Sequence, residues 1–215
     1  MSIEADFYNT NAKFKSLEID KQEGYQQTCL YKIVWQSAVL SGLEIGWESA
    51  EKLFKTGYTS SESKLSDYEM LYGLFEAYNA AADFAKTNKV LTYNEVNTFW
   101  QLSIRRMNYF TTAECVKISE LTDFCERMNI KCQNFTEKQP LEQYSISYEA
   151  YDGVFNILPW SVANFRMARL MSHFFQFRFS LYPTNFLYIP KDKSDFLQMH
   201  IKNLNMEISE FLTKN

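Results

Sequence analysis

The sequence predicts an all-α fold, and three observations predict it. The 215 residues include six glycines and four prolines, too few to punctuate a chain of short strands. Apolar side chains recur at three- and four-residue steps along most of the chain, the period of a helix with one buried face. Three helix-start boxes, in which a Ser or Thr precedes a Glu by three residues, follow one another at Ser66/Glu69, Thr92/Glu95 and Thr111/Glu114. A hydrophobic content of 46%, with aromatics at 17%, supplies the material for one large core.

Residues 1–22 are polar and weakly patterned, and read as an arm or a short helix ahead of a single domain, 23–215. From Tyr25 a stripe runs through Cys29, Ile33, Val34, Ala38 and Leu40, until Ser41-Gly-Leu-Glu-Ile-Gly46 breaks it. A short helix from Trp47 to Lys55 is closed by Gly57, and 58–65 is a polar loop. The Ser66 box opens a helix to about Lys86, with Leu71, Leu74, Phe75, Tyr78, Ala82 and Phe84 or Ala85 inward. The Thr92 box opens one to about Met107. The Thr111 box opens one to about Met128, with Val116, Ile118, Leu121 and Phe124 or Cys125 inward. A helix over Leu141–Ile157 carries Tyr144, Tyr148, Tyr151, Val154 and Phe155. After Pro159 the next runs over about 164–181, apolar nearly all round (Met167, Leu170, Met171, Phe174, Phe175, Phe177), the mark of a central buried helix. Tyr182-Pro183 ends it, and Asp192 caps a last helix with Phe196, Leu197, Ile201, Leu204, Ile208 and Phe211 on one side.

The net charge of −4, without segregation of sign, argues against a non-specific nucleic-acid binder. Four scattered cysteines (Cys29, Cys115, Cys125, Cys132) and two histidines (His173, His200) offer no zinc spacing, so the cysteines read as reduced thiols. The start, MSIEADFYNT, is unlike a signal peptide, and no apolar run reaches membrane-spanning length. The expectation is a cytoplasmic protein without nucleic-acid or membrane partners.

The chemistry concentrates in residues 157–169. Arg166 and Arg169 sit close to a helix start, where the helix already carries partial positive charge and prefers anions. Two readings follow: a site for something negative, most plausibly phosphate, or two arginines paired with carboxylates elsewhere in the fold.

The order of pieces in this stretch resembles the Fic (Fic/Doc) family of AMP-transferases, whose motif is His-Pro-Phe-x-Asp/Glu-Gly-Asn-Gly-Arg-x-x-Arg. Pro159, Trp160, Asn164, Arg166 and Arg169 match it, Trp standing for Phe. Leu158 stands at the catalytic His, Val162 at the metal-binding acid, and Ala163 and Phe165 at the two glycines. The helices over 66–86 and 92–107 look like those ahead of the family's target-binding region, and 23–56 is similar to its inhibitory N-terminal helices, with Ser41-Gly-Leu-Glu44 at the inhibitory segment. The resemblance implies a core over 66–190, a C-terminal helix over 191–215, and a central helix entered from the 158–165 loop.

What the resemblance implies can be weighed chemically. The family's His takes the proton of a target hydroxyl as it attacks the α-phosphate of ATP. Leu158 cannot, and a general base is worth about 10²–10⁴-fold in rate. Magnesium requires oxygen ligands, which the Val162 side chain lacks, so Mg²⁺ is not expected at the usual position. The two glycines let backbone N–H groups turn toward an anion, and Phe165 resists the positive φ this needs. His173 lies deep in the helix and reads as a core histidine, and Asp152 as a cap or an ion-pair partner. Asn164, Arg166 and Arg169 remain as candidates for nucleotide phosphate, with ATP the ligand implied. Carried over, the inhibitory pair is Glu44 with Arg169, here a buried clasp between N-terminal segment and central helix. The family's target-docking hairpin shrinks to Asn108-Tyr-Phe-Thr111. The expectation is a degenerate Fic-fold protein with no catalytic residue, acting through a protein partner, another copy of itself, or residual nucleotide binding. The alternative is a divergent enzyme that transfers AMP or another phosphate-containing group by a non-standard mechanism.

Overall fold

The computed structural model describes residues 2–58, 64–87, 89–106, 112–133 and 138–214. Among them the elements are α1 (Ile3–Ser16), a 3-10 turn (Ile19–Lys21), α2 (Tyr25–Val39), α3 (Trp47–Thr56), α4 (Leu65–Ala85), α5 (Tyr93–Ile104), α6 (Ile118–Lys131), α7 (Pro140–Ile157), α8 (Asn164–Arg178) and α9 (Lys193–Lys214). The described residues contain no strand, only an isolated antiparallel bridge between Cys115 and Trp160. No described helix is long and apolar enough to cross a membrane.

The fold is organised around α8. Met167, Ala168, Leu170, Met171, Phe174 and Phe175 are all inaccessible to solvent, and α7, α4 and α2 pack around them. The expected central helix is therefore present, but it ends at Arg178 rather than near Leu181. Ser180 takes a left-handed conformation (φ 54°), and the Leu181 N–H returns to the Gln176 carbonyl, closing the last turn before the Tyr182-Pro183 pair is reached. α4 crosses α5 at Gly73, where a Cβ would stand 3.1 Å from the Leu102 carbonyl oxygen, so a larger residue would have to push the two backbones slightly apart.

Residues 1–22, read as an arm or a short helix, form α1 and the 3-10 turn, docked along α9. Phe7 joins the main core. Phe14 and Ile19 join Leu204 and Ile208 in a second, smaller cluster.

One of the three helix-start boxes does not form, one does, and the third lies partly outside the described residues. α4 begins after Lys64 with no side-chain cap, so Ser66 lies inside the helix rather than before it. The Thr92/Glu95 box is complete, each side chain bonded to the other residue's backbone. Of the third box, Thr111 lies outside the described residues, and Glu114 lies in extended chain. That chain pairs with 159–161, so α6 begins only at Ile118. In consequence Val116 and Ile118, expected inside, are exposed, while Leu121, Phe124 and Cys125 are buried as expected. The Asp192 cap on α9 forms, its Oδ1 accepting from the Asp195 N–H at 2.9 Å.

Candidate functional site

The loop between α7 and α8 is built by two left-handed residues. Leu158 (φ 49°) turns the chain out of α7, and Ala163 (φ 67°) turns it into α8. Both positions favour glycine, and both side chains accept some strain there. A stack and several hydrogen bonds hold what lies between and the end of α7 before it. The Trp160 indole is buried and stacks on Trp100, centroids 5.8 Å apart and planes 12° from parallel. Its Nε1 donates to Asn97 Oδ1 at 3.3 Å, and the Trp100 Nε1 donates to the Val162 carbonyl at 3.1 Å. The Pro159 carbonyl accepts from the Val116 and Lys117 N–H groups at 2.8 and 3.2 Å. The Lys117 ammonium, 2.5 Å from the Ile157 carbonyl oxygen, caps the carbonyl end of α7. Trp100 and Lys117 were not legible as parts of this site, because both lie on other elements and match no motif.

Asn164 is turned onto its own loop. Its Oδ1 accepts from the Trp160 N–H at 3.0 Å and its Nδ2 donates to the Trp160 carbonyl at 2.7 Å, so both ends of the amide are used. Replacing Asn164 with alanine leaves both Trp160 backbone groups unmade and is expected to cost about 1–2 kcal/mol in the urea midpoint. Phe165 is an ordinary helical residue. Its ring, 50% exposed, leans on Phe155 at 5.1 Å. Leu158 is 40% exposed, and Val162 offers the loop its carbonyl, not a side-chain ligand.

Arg166 and Arg169 lie one turn apart on the buried face of α8. Burial, and then the neighbouring charge of Arg169, push the Arg166 guanidinium down to about 10. The expected pair of Glu44 with Arg169 does not form. Arg169 Nε donates to Ser37 Oγ at 3.1 Å, and its Nη2 donates to the Ser37 carbonyl at 2.8 Å and Ser41 Oγ at 2.7 Å. The reason is geometric on one side and electrostatic on the other. After Gly42 (φ 93°) the chain alternates, burying Leu43 and Ile45 and leaving Glu44 exposed to solvent. Arg169 meanwhile caps the carbonyl end of α2, whose dipole supplies negative charge without a carboxylate. Ser37 and Ser41, four apart on a buried stripe, were the signal for this in the sequence.

His173 is a satisfied core histidine. Its Nε2 lies 2.8 Å from the Thr184 carbonyl, which can only accept, so Nδ1 takes the Tyr78 hydroxyl proton at 3.0 Å. Burial lowers its pKa to about 4. Thr184 continues the chain: its N–H donates to Gln176 Oε1 at 2.8 Å, its Oγ1 accepts from Gln176 Nε2 at 3.0 Å, and the same hydroxyl faces His200 Nδ1 at 3.2 Å. Asp152 is half-buried on α7 and in no ion pair among the described residues. The described cysteines are all free thiols, and burial raises Cys29 and Cys132 to about 11 and Cys125 to about 12. Among the described residues no three His, Cys, Asp or Glu side chains come together as a metal site. Residues 108–111, where the docking hairpin was expected to be missing, lie outside the described residues.

The geometry thus defines a class: an all-α domain with a central helix that is entered through a Pro-Trp loop and buries the two arginines near its start. Comparison with solved structures places that class. A segment of Fic-1 from C. elegans superposes with a TM-score of 0.75 at 10% identity, over 98% of this chain and 72% of that one. A Fic domain containing signaling protein from Bacteroides thetaiotaomicron superposes with a TM-score of 0.66 at 15% identity, over 96% and 92%. A Fic family protein from Desulfovibrio desulfuricans gives 0.62 at 11% identity, over 97% and 74%. The chain has the Fic fold. No family sequence model matches it, and no curated protein sequence does.

Proposed function

We propose that this Fic-fold chain works by binding a protein partner, without the AMP transfer that the family's motif performs. The observation that carries this reading is the side-chain chemistry of the 158–165 loop. It offers an alkyl group at 158 where a base is needed, and another at 162 where an oxygen ligand is needed. Its one amide, Asn164, is spent on Trp160. The nearest histidine along the chain, His173, has both ring nitrogens engaged in the core. Magnesium would find no side-chain ligand at 162. Exposed Leu158, Phe165, Val116 and Ile118 border the loop and suit an apolar contact with a partner.

A second reading, residual nucleotide binding, is favoured by one observation: Arg166 and Arg169 are both buried, and the charge of Arg169 adds to burial in disfavouring that of Arg166. An anion would relieve that. The two readings part in a thermal-unfolding experiment with ATP, with and without Mg²⁺. Binding without nucleotide chemistry gives no shift in Tm under either condition and no AMP incorporated into protein. A shift of several degrees that Arg166→Ala abolishes would establish the second reading and displace the first.

A further inference from the structure

One buried titratable group lies far along the chain from the 157–169 stretch and takes no part in it. His200, on α9, is inaccessible to solvent. Its surroundings come from three elements. Phe7 of α1 lies with its ring 5.6 Å away, Tyr144 of α7 4.0 Å away, and Tyr182 of the segment after α8 6.2 Å away. Thr184, in that same segment, meets Nδ1, and because the Thr184 Oγ1 already accepts from Gln176 its proton is free to go to Nδ1. The ring proton then sits on Nε2, which finds no hydrogen-bond partner among the described residues. The ionisable groups facing the ring are the two tyrosine hydroxyls, and burial holds both neutral. From α8, His173 reaches the same threonine through its carbonyl and is itself neutral. Nothing around His200 stabilises a positive charge.

α1 packs on α9 and the 3-10 turn and touches α7 through Phe7. Its Ile3 rests on the main core only partly buried, and Phe14 belongs to the small second cluster. Release of α1 would remove Phe7 from the His200 ring and leave the packing of α4, α7 and α8 on one another in place.

We propose that His200 is an acid-sensitive latch for the first helix: the neutral ring is tolerated beneath Phe7, and the protonated ring is accommodated only when α1 leaves α9. Burial is the one cause of its lowered pKa, about 3, against about 6.5 for a histidine in water. The preference of the open form for the proton therefore favours opening of α1 by about 100-fold at pH 4.5 relative to neutral pH. What opening presents is the apolar face of α9 around Leu204 and Ile208 together with Phe7 and Phe14, so the latch would make a hydrophobic surface available in acid.

Hydrogen exchange of the full chain tests this, with rates corrected for the intrinsic effect of pH. Between pH 7.5 and 4.5, protection of residues 3–16 should fall about 100-fold through an opening less costly than global unfolding, and His200→Phe, which leaves the proton uptake of His173 in place, should abolish that loss. No loss in residues 3–16 of the parent protein, or an unchanged loss in the Phe variant, would overturn the proposal. Should that variant not fold, the titration of His200 in the unaltered protein decides by NMR. A resonance that stays neutral until α1 exchanges supports the latch, and one that titrates near 6.5 with α1 fully protected refutes it.

Discussion

Lowering the pH from 7 to 4.5 should remove about 5 kcal/mol of global stability, read as a fall in the urea midpoint across a pH series. His173 and His200 are both buried neutral, with folded-state pKa values lowered to about 4 and about 3. In the unfolded chain each returns to about 6.5, so between these values the unfolded state binds more protons. Stability is fully present above pH 6.5 and is lost as pH falls toward the folded values, at about 1.4 kcal/mol per pH unit for each histidine. His173→Gln, which retains an amide to meet the Thr184 carbonyl, should lose about half of this slope. A slope unchanged by that substitution would show that His173 is not neutral in the folded protein.

The second large effect separates Arg169 from Glu44. Arg169→Ala deletes three hydrogen bonds from a charged donor, uncaps the carbonyl end of α2 and leaves a void between α2 and α8. The expected cost is about 2–4 kcal/mol, moderated because a buried cation is removed with it. Glu44→Ala should stay within about 0.5 kcal/mol of the parent, since its side chain is exposed and in no ion pair with Arg169. If both substitutions cost the same, and the double variant costs no more than either, the two residues are coupled after all and the α2 cap is not what holds the arginine.

The contrast also shows what a sequence of this kind conveys. Every helix of the fold except α1 and the start of α6 could be traced from apolar spacing, because a buried face leaves a period of 3.6 whatever the partner. α8 was the easiest, being buried on nearly all sides. Boundaries were harder. Ser66 and Glu69 have the spacing of a capping box, yet the helix already begins at Leu65, one residue ahead of Ser66. Glu114 has it too, but its backbone is engaged by Ser161, 47 residues away, through a 3.1 Å bond to the hydroxyl, which no local pattern encodes. The side chains of the candidate site were legible, and how they are held was not. That Leu158 and Val162 carry only alkyl groups is read directly from the sequence. The partners of Arg169 were legible only in part: Ser37 and Ser41 stand four apart on one stripe of the sequence, but the Ser37 carbonyl has no residue type. The resemblance pointed to Glu44, and a left-handed Gly42 followed by two inward apolar residues turned that carboxylate to solvent.

The loop's tryptophan pairing has a practical corollary. The chain's four tryptophans fall into two pairs: Trp100 with Trp160 across the 157–164 loop, and Trp35 with Trp47, 5.6 Å apart across the turn that follows α2. The first pair is sealed from water and the second is only half-buried. Blue-shifted emission and the circular dichroism of closely stacked indoles thus arise at the loop, and red-shifted emission at the turn beside the Arg169 cap. The molecule carries its own optical probes at the 157–164 loop and beside the Arg169 cap, and any ligand or partner arriving at either could be watched there without a label.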